Sequence, residues 1–263
     1  FNAFHIPYLK WFKEMGWEVH IAANGENEVP YVDQKFNIPI QRSPFNLKNI
    51  RAITELKKII DQNNYQIIHC HTPMGGIIAR LAAQKARKAG TKLIYTAHGF
   101  HFCKGASFIN WLLYYPIERT LSGLTDCLIT INKEDFDLAV NHRFKAKEIK
   151  HVHGVGVNTD FYKPASPTDK LFLRQELGYY SNQFILFYAA EFNKNKNQKL
   201  LIEALAQINE EVPNVKLLLA GDGPLLKECK ELAVQLGVIE LIDFLGYRND
   251  IDMLLKISDL AVA

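Results

Sequence analysis

Two turns in the second half of the chain carry residue types suited to holding a phosphorylated ligand. In Tyr188-Ala-Ala-Glu-Phe-Asn-Lys-Asn-Lys196-Asn-Gln an apolar run ends in a polar turn that leads into a helical pattern, and in Leu218-Leu-Ala-Gly-Asp-Gly-Pro224 a second run ends in glycines. A turn that opens a helix presents unpaired N–H groups and the positive end of the helix dipole to an anion. Lys196 adds a mobile positive charge that can meet a diphosphate. Ordinary β–α turns use the same residues, glycine to relieve backbone strain and Pro224 to start a helix, so neither turn is decisive alone. A third strand end, Tyr95-Thr-Ala-His98-Gly99, offers an imidazole that can bond a hydroxyl, or equally a neighbouring loop.

The elements around these turns alternate regularly. Apolar spacing at Leu9, Phe12 and Met15 marks a helix that stops at Gly16, and further helices are expected at 47–63, 75–88, 108–121 and 133–142. Strands are expected between them at 17–23, 66–70, 92–96, 126–130 and 148–152. Such alternation predicts an α/β protein with parallel strands, right-handed crossovers and helices on both faces. The glycines and prolines of 153–168 interrupt the rhythm and read as an interdomain connection. A second alternation follows, with helices at 170–177, 198–212, 225–236 and 250–257 and strands at 184–189, 215–220 and 241–245. The expected organisation is a Rossmann-like domain over 1–163 and a second, incomplete one over 164–263. The start at Phe1 without a leading strand and the stop inside a strand pattern at Ser258–Ala263 suggest a piece of a longer chain, its first strand missing.

Composition narrows the class. The chain has 263 residues and is 48% hydrophobic, enough to bury a sizeable core. Its net charge of +3, with 31 Lys and Arg dispersed among 28 Asp and Glu, gives no basic face for nucleic acid. The four cysteines, Cys70, Cys103, Cys127 and Cys229, are widely spaced and imply no disulfide framework. With no leader and no apolar run long enough to span a membrane, the expected location is cytoplasmic.

The order Tyr95-Thr-Ala-His98-Gly-Phe, then Gly-Val-Gly-Val-Asn-Thr-Asp-Phe-Tyr-Lys-Pro164, then Glu191-Phe-Asn-Lys-Asn-Lys196-Asn, Ala220-Gly-Asp-Gly-Pro and Phe244-Leu-Gly246-Tyr resembles the retaining glycosyltransferases of family 4. The likeness covers nearly the whole chain and looks closest to the bacterial capsular and exopolysaccharide branch. It implies a GT-B-like fold, two Rossmann-like domains facing a cleft, and transfer from a nucleotide sugar, UDP expected from the branch, to a lipid-linked or polysaccharide acceptor. His98 matches the histidine that lies close to the donor sugar, where its ring can bond a sugar hydroxyl and its carbonyl can stabilise positive charge at the anomeric carbon. Glu191, Asn193, Lys196, Gly221, Asp222, Gly223, Leu245 and Gly246 fall on the donor and nucleotide side, and His71, Thr72 and Gly99 on the acceptor side. The family usually carries an arginine five positions before the lysine; here Glu191 stands there, requiring a cationic partner, for which Lys194 or Lys196 could serve. Neither a metal nor another cofactor is expected, since the nucleotide sugar is itself the substrate.

Some readings stay open. The pairs His69/His71 and His98/His101 contain metal-ligating types but no compact four-ligand spacing. Phe108, Trp111, Leu112, Tyr114 and Tyr115, and Tyr8, Trp11 and Phe12 beside Lys10 and Lys13, form aromatic helices that either pack in a core or meet a membrane bearing the acceptor. Glu134 and Asp135 suit a helix start and are given no catalytic role. Glu191 leaves open a non-catalytic nucleotide-sugar sensor or scaffold, and the fold alone would also admit a nucleotide-sugar epimerase.

Overall fold

The computed structural model describes residues 4–262 and divides the chain into two compact units, Phe1–Gly156 and Val157–Ala263. In the first, α1 (Ile6–Glu14) precedes the parallel pair β1 (His20–Ala23) and β2 (Gln34–Asn37). A separate four-stranded parallel sheet has the order β3 (Ile67–His71), β4 (Lys92–Ala97), β5 (Cys127–Thr130), β6 (Glu148–His151). It is crossed by α2 (Lys48–Asn63), α3 (Pro73–Ala82), α4 (Gln84–Lys88), α5 (Phe108–Leu121) and α6 (Lys133–Asn141). Strand β2 was not anticipated: Gln-Lys-Phe-Asn has neither an apolar run nor clean alternation, and only its pairing with β1 makes it a strand. The helix expected at 75–88 starts at Pro73, capped by the Thr72 hydroxyl, and breaks at Ala83 into α3 and α4.

The core of this unit lies between α2, α3 and the larger sheet, around Ile60, Ile78, Leu93, Tyr95, Phe102 and Leu128. A charged pair sits within it. Arg80, only 1% exposed, donates through Nη1 to Glu118 Oε2 at 2.8 Å and through Nε to the Gly76 carbonyl at 2.9 Å. The guanidinium lies 4.3 Å from the Tyr95 ring centroid, so the ring face meets a charge whose Nη2 has no hydrogen-bond partner. The Tyr95 hydroxyl donates to Glu118 Oε1 at 3.3 Å.

The second unit is a single parallel sheet of order β10 (Leu260–Ala261), β7 (Phe184–Ala189), β8 (Val215–Ala220), β9 (Ile242–Gly246). Its helices are α7 (Pro167–Glu176), α8 (Gln198–Ile208), α9 (Leu226–Gln235) and α10 (Ile251–Ile257). Helix α7 begins before the expected Lys170 because the Ser166 Oγ accepts from the Asp169 N–H while Pro167 supplies a ready-made first helical φ. Helix α8 ends short of Val212, the residue before Pro213 being driven out of helical geometry. Arg174 ties the unit's ends together: it donates to the Ser181, Gln183 and Ile257 carbonyls and pairs with Asp259 at 2.6 Å. Asp259 also accepts from the Ile185 N–H and from Lys170.

Two outcomes are expected from these networks. Glu118→Ala leaves Arg80 buried without its counter-charge and costs about 3–5 kcal/mol, read from the denaturant midpoint of the first unit. Burial would raise the Asp259 carboxyl, but Lys170, the Ile185 N–H and Arg174 together hold it below the usual carboxylate range. A depressed folded-state value contributes stability above about pH 4 that is lost as pH falls further. Asp259→Asn therefore flattens the acid limb of the second unit's stability curve; an unchanged acid limb would remove Asp259 as its source.

Candidate functional site

Three strand-end turns of the second unit are joined through their main chains. The Ala190 N–H donates to the Ala220 carbonyl at 2.9 Å and the Phe192 N–H to the Asp222 carbonyl at 2.9 Å. The Leu225 N–H returns to the Phe192 carbonyl at 3.0 Å, and the Gly221 N–H reaches the Gly246 carbonyl at 2.7 Å. The strands thereby bring Glu191, Asn193 and Lys196 to Gly221, Asp222 and Gly223, and these in turn to Gly246. A register irregularity sets Ala220 opposite Gly246 and leaves Leu245 out of the ladder. The Leu245 side chain packs against the core of Ile185, Phe187, Leu218, Ala220, Leu254 and Ile257, so this residue offers the turn only its main chain.

The approach of the first two turns leaves no room for side chains. A Cβ on Gly221 would stand 2.1 Å from the Ala190 carbonyl oxygen, and one on Gly223 would stand 2.6 Å from the Phe192 carbonyl oxygen. Both glycines also hold positive φ, 137° and 152°.

Within the first turn Asn193 Oδ1 accepts from the Asn195 and Lys196 N–H groups at 3.1 and 3.0 Å, an Asx turn that fixes the approach to α8. A pairing of Glu191 with Lys194 or Lys196 does not form: its carboxylate accepts instead from Asn193 Nδ2 at 3.1 Å, the amide end of the side chain whose oxygen closes the Asx turn. Among the described residues neither lysine enters an ion pair, and Lys196 is exposed at the start of α8. Two supporting residues escaped the sequence reading. Gln198, 2% exposed, donates to the Glu191 carbonyl at 3.0 Å, and the Tyr188 hydroxyl donates to the Lys196 carbonyl at 3.0 Å. Gln198 follows Lys196 by two places, but only the fold shows that it is buried.

In the first unit β3 and β4 pair with His71 opposite Thr96, so their ends deliver His71 and His98 together, Nδ1 to Nε2 at 3.3 Å. His5, ahead of α1, stands edge-on to His71 with ring centroids 4.3 Å apart, a neighbour that nothing in the sequence pattern announces. Burial foremost, then the neighbouring His69 and His5, pushes His71 down to about 2, and burial lowers His98; both are neutral imidazoles near pH 7. The pair His98/His101 does not converge; the His101 ring packs at a tilt against Tyr114 instead, centroids 4.8 Å apart. Thr72 holds φ 63° and ψ 152°, an outlier for a β-branched residue that stores about 1–3 kcal/mol of strain. Its hydroxyl accepts from the Gly75 N–H at 3.3 Å, which offsets part of that cost. Glu134 and Asp135 fasten the loop behind His98 and Gly99: the Lys104 N–H donates to Glu134 Oε1 at 2.6 Å and the Phe100 N–H to Asp135 Oδ2 at 3.0 Å.

Strand-end turns that can hold an anion, and a neutral histidine set on a braced loop in a separate α/β unit, are equipment suited to a group transferase. Residues 1–132 match the family described as Glycosyl transferase 4-like, and residues 169–263 match Glycosyl transferases group 1. The chain is 52% identical over its whole length to EpsD of Bacillus subtilis (strain 168), named as a glycosyltransferase, and spans 69% of that protein. It is 28% identical, over 82% of its length and 56% of the relative's, to the UDP-Gal:alpha-D-GlcNAc-diphosphoundecaprenol alpha-1,3-galactosyltransferase of Escherichia coli. Among solved structures, HepE of Anabaena in complex with UDP and glucose superposes with TM-score 0.71 at 22% identity, covering 98% of this chain and 67% of that one. WaaG, a glycosyltransferase involved in lipopolysaccharide biosynthesis, gives TM-score 0.67 at 17% identity, covering 96% and 68%. The chain belongs to the GT-B glycosyltransferases, in the branch that includes EpsD.

Gly221→Ala is expected to cost about 1–3 kcal/mol by forcing the first two turns apart. It should also abolish nucleotide binding, measured by calorimetry on variant protein shown by circular dichroism to be folded.

Proposed function

We propose that this glycosyltransferase moves a sugar, with retention of anomeric configuration, from a UDP-sugar to a lipid-linked saccharide during exopolysaccharide synthesis. The observation that supports the reading is the main-chain interlock of the three turns, which brings the turn bearing Lys196 and leading into the first N–H groups of α8 beside those of Gly221 and Gly246, in a chain 52% identical to EpsD. Lys196 and those N–H groups take up the diphosphate charge, so the transfer uses no metal. Main-chain groups at Gly221 and Gly246 contact the nucleoside, and His98 serves the transferred sugar. The bond from the anomeric carbon to the phosphate oxygen breaks as the acceptor oxygen bonds on the same face, and the departing diphosphate takes the acceptor's proton. Catalysis then rests on positioning and fixed charge. UDP as donor nucleotide is supported by the UDP-Gal donor in the name of the Escherichia coli relative.

The acceptor side has its own support. In α5 the apolar residues divide: Trp111, Tyr114 and Tyr115 pack against the core, while Phe108, Ile109, Leu112 and Leu113 are 79%, 64%, 61% and 43% exposed. Their spacing lays one apolar stripe along the helix, flanked in sequence by Lys104 and Arg119. No helix among the described residues is long and apolar enough to cross a membrane. The stripe suits contact with the surface of the bilayer that carries the acceptor, from the cytoplasmic side. The diphosphoundecaprenol acceptor in the name of the Escherichia coli relative agrees with that reading.

Calorimetry with UDP, GDP and ADP tests the nucleotide site: UDP alone should bind, and Lys196→Ala should weaken it about tenfold, 1.4 kcal/mol. In the whole protein, His98→Ala should lower kcat about a hundredfold while leaving UDP affinity unchanged. UDP binding with no transfer to any lipid-linked acceptor would favour a nucleotide-sugar sensor, the reading that Glu191 in the cation position admits. Vesicle flotation reads the stripe: protein should float with anionic phosphatidylglycerol vesicles, and Phe108→Ser with Leu112→Ser should leave it at the bottom of the gradient.

A further inference from the structure

His5, His71 and His98 each offer a ring nitrogen, and the three nitrogens lie within 4.8 Å of one another. They come from three separate elements: the residue capping α1, the last residue of β3 and the turn after β4. The chain segments that carry them are held independently. Thr72 begins the capped α3 beside His71, Asp135 fastens Phe100 behind His98, and His5 ends in a helix anchored by Leu9 in its own small core.

The separation of His71 Nδ1 and His98 Nε2, 3.3 Å, is long for an N–H···N hydrogen bond. Two imidazole nitrogens each bound at about 2.0–2.1 Å to one tetrahedral zinc stand about 3.3 Å apart. A third nitrogen within 4.8 Å closes to that spacing by a modest turn of the His5 side chain. His69, the next residue on the same face of β3, does not compete, because its Nε2 is bonded to Thr96 Oγ1 at 2.8 Å. The donor set is all imidazole. It suits borderline cations such as Zn²⁺, Co²⁺ and Ni²⁺ and discriminates against Mg²⁺ and Ca²⁺, which require oxygen ligands.

We propose that His5, His71 and His98 form a three-histidine site for one divalent transition-metal cation, with Zn²⁺ as its type ligand and an open fourth position. The site has a consequence that rests on the transferase reading above. A cation held by His98 removes that ring from the sugar, so the metal acts as a reversible inhibitor of transfer, not as its catalyst. The competition is for His98 Nε2, the nitrogen that faces His71: inhibition follows where the sugar hydroxyl bonds that same atom.

The test uses tag-free protein stripped with EDTA and titrated with zinc chloride by calorimetry, with magnesium chloride alongside. One Zn²⁺ per chain and no Mg²⁺ are expected. His5→Ala and His71→Ala should each weaken zinc binding at least about tenfold. His153→Ala removes half of a close pair away from this cluster, His151 and His153 with ring centroids 4.7 Å apart, and should change nothing. Cobalt gives a readout independent of activity, since three imidazoles and water produce tetrahedral visible bands that His71→Asn abolishes. The site is overturned if zinc fails to saturate at one equivalent, or if that equivalent survives both His5→Ala and His71→Asn in folded protein. In the whole protein, micromolar zinc should inhibit transfer and His5→Ala should relieve it. Zinc binding without any transferase activity would leave the metal site standing and remove the transferase reading instead.

Discussion

The closest constraint in the molecule is between peptide groups. The turn after β8 passes so near the turn after β7 that Gly221 and Gly223 have no space for a Cβ, and three main-chain hydrogen bonds fix the distance. From that contact follow the starting points of both neighbouring helices: Leu225 is bonded back to Phe192 ahead of α9, and Gln198 anchors the start of α8 to the Glu191 carbonyl. Groups that meet an anion are thus set by backbone geometry, which costs little to keep in place when a ligand arrives.

The first unit solves the same problem differently. Its site is held by side chains: Asp135 and Glu134 grip the loop that follows His98, Thr72 carries strained backbone beside His71, and the buried Arg80–Glu118 pair stiffens the layer beneath. A polar network of this kind is unforgiving, because removing one member strands another without solvent. The second unit thus depends on the absence of side chains at Gly221 and Gly223, the first on the presence of particular ones.

Most strands and helices were legible because apolar runs of four to six residues alternate with amphipathic segments, and helix starts such as Ser107 and Asn132 carry capping side chains that confirm them. Glycine and lysine at strand ends likewise announced the turns around Lys196 and Gly221. What stayed hidden shares one property: it depends on a partner distant in sequence. Strand β2 exists through β1, the burial of Gln198 through the turn it supports, and the meeting of His5 with His71 through a fold that joins residues 66 positions apart. The partner of Glu191 was misjudged for the opposite reason. Charge suggested a lysine, while a local Asx turn two residues on decided the geometry.

The Arg174–Asp259 clamp bears on how the chain comes into being on a ribosome. Arg174 is 4% exposed and its counter-ion is synthesised 85 residues later, with the Ile257 carbonyl it also caps. Until that stretch emerges, the guanidinium has only the Ser181 and Gln183 carbonyls and no counter-charge, which disfavours burying α7, and β7 lacks its neighbour β10. The second unit accordingly closes in one late step, after the first has had time to settle, and its exposed β7 edge is the part of the nascent chain that chaperones would have to shield.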